Sequence, residues 1–430
     1  MTARALERLL GRRADVEIWL VNRENFFLFT PLLPEVCAGR LEARHVVVAL
    51  RAMVRRASTW CITADVEKID VDESIVTVMG GDGDLHRLRY DTLILALGGE
   101  TATFGIKGIA EYAAGMKTMA EAFSLRNRII EMLERADLEE NPDERQAQLT
   151  FVVGGAGFSG VETAGEIEDF ARQVRRRYYP GIADDELRFH LIEAKDRVLP
   201  EMGEEMGEYA RRRLERRGYV IRLGTPLREI RENAAVIGEA EVIPTRTVVW
   251  TGGVRPTPLV ADSGIEVDRA GRAVTAATME TTRPGVFAIG DCASIANPDD
   301  PEGRPYAPNA QNAVREAKVL ARNVLARIDG GPMQPFRYRM IGSLASIGAA
   351  TGVGVVWGIQ VRGFIAWVMW RGYYWLQVPR FNRKVRVLID WGLTFLFGID
   401  PVQLKVEEAK SAVGPSGRRR PRRRFFDPRS

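Results

Sequence analysis

Cysteine is scarce and scattered. Cys37, Cys61 and Cys292 are the only three in 430 residues, and no two stand in a CxxC or CxxxxC spacing. That excludes a local redox dithiol and a zinc knuckle, so no metal site is expected, and it implies a reduced, cytosolic chain. A secretory signal is lacking too, because residues 1 to 15 are charged throughout. No stretch makes a clean membrane span. The longest uncharged run, Met340 to Val361, holds Gly342, Gly348, Gly352, Gly354 and Gly358 with Ser and Thr between them, which suits short strands and turns. Excess positive charge is confined to one place: of the net +4, the tail 415 to 430 contributes seven Arg and one Asp, leaving everything upstream slightly acidic. A nucleic-acid partner is therefore not expected. The tail itself reads as disordered, with attraction to anionic lipid and plain solvation both open.

What is present is ordinary globular material, 46% hydrophobic and 27% charged, long enough for two or three domains. The opening "MTARALERLLGRRADVEIWLVNREN" reads as an amphipathic helix stopped by Gly11 and then an apolar strand over Val16 to Val21. This is the back half of a βαβ unit. A dinucleotide-binding unit opens with a strand and a glycine turn before such a helix, and a stray N-terminal helix is the alternative reading.

An intact glycine loop follows later. In "LTFVVGGAGFSGVETAGEIE", residues 149 to 168, a strand over Phe151 to Val153 leads into Gly155, Gly157 and Gly160, and a helix continues through Val161 to Glu168. GxGxxG alone is weak; between a strand and a helix it meets the structural requirement for a dinucleotide site. The next strand ends at Glu193, whose carboxylate can bond a ribose 2′-hydroxyl and repel a 2′-phosphate, which favours NADH over NADPH. The interval is lengthened by "DFARQVRRRYYPGIADDEL", read as an insertion. "YDTLILALGGE" and "GVFAIGDCASI" are further strands ending in glycine, and Asp291 follows the second directly. Flanking the intact unit, they suggest a second nucleotide domain interrupted by the first.

Together these residues resemble a type II NADH dehydrogenase, a single-chain, membrane-associated FAD enzyme of the two-dinucleotide-binding-domain superfamily. The resemblance runs to about residue 405. It is carried by "NRENFFLFTPLLPEVCAGRLEARHVVVALR" (22 to 51), "YDTLILALG", "GGAGFSGVETAGEI", "VVWTGGVRP" (248 to 256), "GVFAIGDCA" and "APNAQNAVREAKVLARNV" (307 to 324). It implies an α/β fold with two Rossmann-like domains: an FAD domain split between 1–117 and 257–335, an NADH domain at 118–256, a membrane-associating region of amphipathic helices at 336–405 and the tail at 406–430.

The resemblance also assigns residues. Asn22, where an acidic residue is usual, and Arg23 would serve the FAD ribose side. Gly98, Gly290, Asp291 and Ala310 would line the flavin, with Asp291 on the ribityl chain. Gly155, Gly157, Gly160, Glu162 and Glu193 would hold NADH, and Gly252 and Gly253 would border the nicotinamide. Glu166 would assist NADH positioning and proton movement. Gln311 matches a glutamine near the quinone ring, and Arg315 stands where relatives have a second. The expected activity is hydride transfer from NADH to FAD and passage of two electrons to a membrane quinone, without proton pumping.

Five of the eight Trp fall between 357 and 391, in "GFIAWVMWRGYYWLQVP" and "NRKVRVLIDWGLTFLFGI" and just before them. Interrupted by Arg371 and Asp390, neither segment can span, but both can lie in a membrane interface. The expected location is peripheral, on the cytoplasmic face of the cell membrane, with the nucleotide domains ending before this segment. A homodimer through the aromatic face is the alternative. Three other functions stay open: a soluble flavin reductase, a sulfide-type reductase, whose paired cysteines are missing, and an NADH-binding pseudoenzyme without FAD.

Overall fold

The structure, a computed structural model, describes residues 1–54 and 59–403 and the backbone of 423–425. The Arg-rich tail otherwise lies outside the described residues.

Four short strands, Thr150–Gly154, Arg188–Ile192, Tyr219–Arg222 and Thr247–Trp250, form a parallel sheet. In space the third lies beside the second, the second beside the first and the first beside the fourth, with Ala113–Ala114 at the edge. The strand order thus reverses between Arg188–Ile192 and Thr247–Trp250, at the strand carrying the glycine loop. Both faces are covered, which is why the strands read as unbroken apolar runs. Phe151, Val153 and Leu191 pack under the helices Met119–Leu138 and Phe158–Tyr178. Val152, Ile192, Val248 and Trp250 pack on an antiparallel meander, Leu227–Arg231, Ala234–Ile237 and Glu241–Pro244. The stretch read as an insertion is mostly helix: Phe158–Tyr178 continues through its first half, and the 3-10 turn Asp184–Glu186 follows. Ala171 and Val174 are buried, so the apolar stripe of this helix runs on into the stretch.

A second core draws on both ends of the sequence. Leu6, Leu10, Ile18 and Val78 share it with Val260, Phe287, Leu320 and Val324. Helix Thr2–Leu10 packs on helix Ala310–Ile328. Strand Ile18–Asn22 pairs parallel with the start of Thr59–Asp70, whose remainder pairs antiparallel with Ile75–Gly80 and so leads to Leu85–Arg89. Leu93–Leu95 runs parallel to Val286–Ala288, so the chain leaves both strands on the same side, at Gly98 and at Gly290.

The glycine-studded run after Met340 forms a three-stranded antiparallel sheet, Gly342–Ser346, Gly352–Val356 and Ile359–Gly363. Helices Phe364–Gln377 and Phe381–Phe397 follow. This segment is not an appendage. Trp370, Val378 and Val387 share a core with Phe29, Leu32, Val36 and Val46, and Ala345, Ile347 and Val353 enter the core of the nucleotide-binding helix. At Gly165 on that helix a Cβ would collide with the backbone of Ile347 and Gly348. Among the described residues no helix is long and apolar enough to cross a membrane.

Candidate active site

The glycine loop has the geometry a pyrophosphate requires. Gly155 has φ +101°, and a Cβ there would lie 2.9 Å from the Cα of Gly252. A Cβ at Gly160 would run into the Gly155 carbonyl, so the third glycine lets helix Phe158–Tyr178 close on the turn. Around Gly157 nothing lies within 4 Å of such a Cβ, leaving room at the helix N-terminus for a bound group. Glu193 follows its strand and accepts from the N–H of Ala156 (2.6 Å, Oε2) and of Lys195 (2.9 Å, Oε1). It is thereby tied to the loop between the first and second glycines. Thr251 Oγ1 donates to the Gly154 carbonyl at 2.9 Å, fixing Gly252 and Gly253 across from the same turn.

The flavin side passes the same test of fit at the carboxyl ends of the second parallel pair. Gly98 has φ +65° and open space where a Cβ would stand. Gly290, φ +69°, begins the 3-10 turn Gly290–Cys292 that carries Asp291. Lys117, whose ammonium donates to the Gly99 carbonyl, is lowered by burial and attracted by Asp291. A carboxylate, a cation and bare backbone around an open crevice suit the ribityl and ring portions of FAD. Asn22 donates to the Glu24 carbonyl at 2.7 Å, and Arg23 makes an exposed ion pair with Asp65 at 2.5 Å.

The acidic side chains of helix Phe158–Tyr178 point into a buried polar cluster. Glu166, 2% exposed, pairs with Arg40 at 2.7 Å, and Arg40 also reaches Asp169 at 3.1 Å. Burial pushes the Glu166 carboxyl up, opposed by Arg40. Glu162 accepts from Trp370 Nε1 at 2.7 Å and from the Ser346 N–H at 3.3 Å, so its contacts are with the C-terminal segment and not with the glycine loop. Burial pushes it up to about 8. Glu35, fully buried, accepts from Arg371 at 2.8 Å and from Trp391 Nε1 at 2.6 Å. Sequence spacing does not reveal the roles of Arg40 and Glu35, or the inward bond of Trp370, because their partners are distant in the chain.

Ala310 opens the helix Ala310–Ile328, capped by Asn309, whose side chain accepts from the Asn312 N–H at 2.8 Å. Gln311 is held through both ends of its amide: Nε2 donates to the Gly342 carbonyl at 3.2 Å and Oε1 accepts from Tyr338 at 3.4 Å. The Arg315 guanidinium lies over the Tyr338 ring, 4.1 Å from its centroid, and donates to the Gln311 carbonyl at 2.8 Å. Arg315 is thus fixed as a cation beside Gln311. Cys37 and Cys292 are buried and Cys61 half-buried, all three free, so no cysteine pair stands at the site.

A family model described as pyridine nucleotide-disulphide oxidoreductase matches residues 2–317. The type II NADH:quinone oxidoreductase Ndh of Mycobacterium tuberculosis is 32% identical over 398 residues, covering 90% of this chain and 84% of that protein. A type II NADH:quinone oxidoreductase of Staphylococcus saprophyticus is 31% identical, covering 81% and 85%. Among solved structures, NDH2 from Plasmodium falciparum in complex with NADH superposes with a TM-score of 0.85 at 19% identity, over 93% of this chain and 97% of that one. The sulfide:quinone oxidoreductase of Aquifex aeolicus has the same fold at lower similarity, TM-score 0.68 and 15% identity, over 93% of each chain. This chain belongs to the pyridine nucleotide-disulphide oxidoreductase family and, within it, to the type II NADH:quinone oxidoreductases.

Proposed function

We propose that this protein is a non-proton-pumping, FAD-dependent NADH:quinone oxidoreductase acting at a membrane surface. The observation that carries the reading is the meeting of the glycine loop with its Glu193 tether, the Gly98–Asp291 crevice, and the Gln311–Arg315–Tyr338 group in one chain of this family.

Bound FAD would supply a two-electron acceptor for the hydride of NADH and a donor for the quinone. The residues supply position. The amides around Gly157 and the Glu193 carboxylate would hold the pyrophosphate and the adenosine ribose, and Gly252 and Gly253 would leave room for the nicotinamide. Gly98, Gly290 and Asp291 would seat the flavin, with Ala310 at the head of the adjoining helix. Glu166, oriented by Arg40, would keep the nicotinamide in place and exchange protons, since each turnover takes one proton from solvent into the quinol. Gln311 and Arg315 would address the quinone carbonyls, the Arg adding a positive charge as those oxygens gain negative charge.

A split FAD domain at 1–117 and 257–335 is supported by the core that Leu6, Ile18 and Val78 share with Val260, Phe287 and Leu320, and an NADH domain at 118–256 by the core under its parallel sheet, to which Leu33 and Ile347 also contribute. The membrane contact would come from the C-terminal helices within 336–405. Phe364, Ile365, Val368 and Leu376 on one, and Phe381, Leu388, Leu393 and Phe395 on the other, are exposed, while Trp370, Val387 and Asp390 face inward. Arg371 and Asp390, which interrupt the apolar sequence, pair with Glu35 and with His45 (2.5 Å), so these two charges are turned away from the exposed apolar side chains. Exposed apolar faces of this kind lie in an interface, here the cytoplasmic face of the cell membrane, better than in water.

The test is steady-state NADH oxidation by purified protein with a long-chain quinone in vesicles and with a small soluble acceptor. Turnover with both, faster with NADH than NADPH, is expected. Turnover with the soluble acceptor alone would remove the quinone assignment.

A further inference from the structure

The helix that carries Gln311 and Arg315 also carries a buried carboxylate that none of the roles above uses. Glu316 is 3% exposed, and its Oε2 accepts from the Gly290 N–H at 2.8 Å. Gly290 is the first residue of the turn Gly290–Cys292, and its φ of +69° directs the chain out of strand Val286–Ala288 into that turn. The other hydrogen bonds of this segment run to the sheet side, to strand Leu93–Leu95 and within the turn itself. Ile289 N–H bonds the Leu95 carbonyl at 3.0 Å, and the Cys292 thiol donates to the Ile289 carbonyl at 3.3 Å. Glu316 is therefore the link between the turn and the helix, and the residue it fixes directly precedes Asp291.

The bond is maintained against opposition. Burial pushes Glu316 up to about 7, the Gly290 N–H draws it back, and Asp291 repels its charge. Lys117, bonded to the Gly99 carbonyl, attracts Asp291. A carboxylate set against burial and against a neighbouring like charge is costly unless its hydrogen bond does something for the site.

We propose that Glu316 is a positioning residue for the flavin, fixing through the Gly290 N–H the turn that presents Asp291 to the ribityl chain. The inference rests on the FAD reading above. Glu316 touches no substrate. Losing it leaves the half-buried Gly290 N–H without this acceptor and frees the turn to move Asp291.

A double-mutant cycle on FAD affinity tests this in the full-length protein, with the FAD dissociation constant read by flavin fluorescence on rebinding to deflavinated protein. E316L should weaken FAD binding about tenfold, the effect of removing one hydrogen bond to a charged acceptor. E316Q, which keeps an acceptor oxygen, should stay within about threefold of wild type. In a D291A background E316L should cost less than about twofold, because the residue it positions is gone. If E316L does not accumulate as folded protein, E316A takes its place in the same cycle. A tenfold loss that persists in the D291A background, or no loss in either, overturns the proposal. A wild-type protein that carries and rebinds no flavin contradicts the FAD reading itself, a different result from any of these.

Discussion

Trp370 donates its indole N–H to Glu162 at 2.7 Å, joining the first C-terminal helix to the nucleotide-binding helix one turn from Glu166. Both partners are buried, and Trp391 makes the matching bond from the second C-terminal helix to Glu35. The apolar helices are thus fastened to the catalytic body by indoles on buried carboxylates. Replacing Trp370 by Phe keeps most of the packing and removes one of Glu162's two donors. The loss should be about 1 to 3 kcal/mol in urea unfolding. A W370F protein as stable as wild type would show that the bond contributes nothing.

Glu162 also gives stability a pH dependence. Burial raises its carboxyl from 4.5 to about 8, outweighing the two N–H bonds that favour the charged form. The folded protein therefore holds a proton there that the unfolded chain has lost, so this contribution is complete below pH 4.5 and disappears as pH rises to about 8. Glu166, also raised, acts in the same direction. E162Q should flatten the fall in melting temperature across that window and be the more stable protein at pH 8. Parallel wild-type and E162Q profiles would contradict this.

Glu193→Ala should raise the KM for NADH roughly ten- to a hundredfold, the value of a charged hydrogen bond of about 1.5 to 3 kcal/mol. The KM for NADPH should rise less, because the same change removes a repulsion. Since Glu193 also accepts from the Ala156 N–H, part of the effect will be a looser glycine loop. Unchanged KM values would take Glu193 out of the site.

Much of this site was legible because the chemistry is encoded in local spacing. The three glycines, Glu193 and Asp291 each follow a strand, and strand ends are where open α/β sheets bind ligands. The glycine-rich run after Met340 proved to be strands for the reason its composition gave, poor helix propensity. What the sequence hid depends on long-range pairing. Arg40 meets Glu166 across 126 residues and Trp370 meets Glu162 across 208, and no periodicity reports either. For the same reason the sequence places the Trp-rich segment beyond the nucleotide domains, whereas its inner faces share a core with Phe29, Leu32 and Val36. Arg371 and Asp390 looked like interruptions of an apolar face and are instead its inward contacts.

Leu388 and Phe395 are 47% and 89% exposed, so their replacement should spare the fold. L388D/F395D should abolish co-sedimentation with lipid vesicles and activity with a long-chain quinone while leaving reduction of a soluble acceptor near wild type. A variant still bound to vesicles would place the membrane contact elsewhere. A wild-type dimer dissociated by these changes would favour the homodimer.

Arg315→Gln removes the cation stacked on Tyr338 and keeps a neutral donor. The kcat/KM for quinone should fall about tenfold, with the KM for NADH unchanged, because a charged donor stabilises developing negative charge more than a neutral one. Equal loss with quinone and with a soluble acceptor would assign Arg315 to the fold instead of the acceptor site.

Passage of electrons from NADH through a bound flavin to quinone is read directly by an anaerobic titration of the purified protein followed by flavin absorbance. A flavin band in the protein as isolated, bleaching on addition of stoichiometric NADH, and full recovery on addition of quinone are expected. A protein with no flavin band, or with a band that NADH does not bleach, would contradict it.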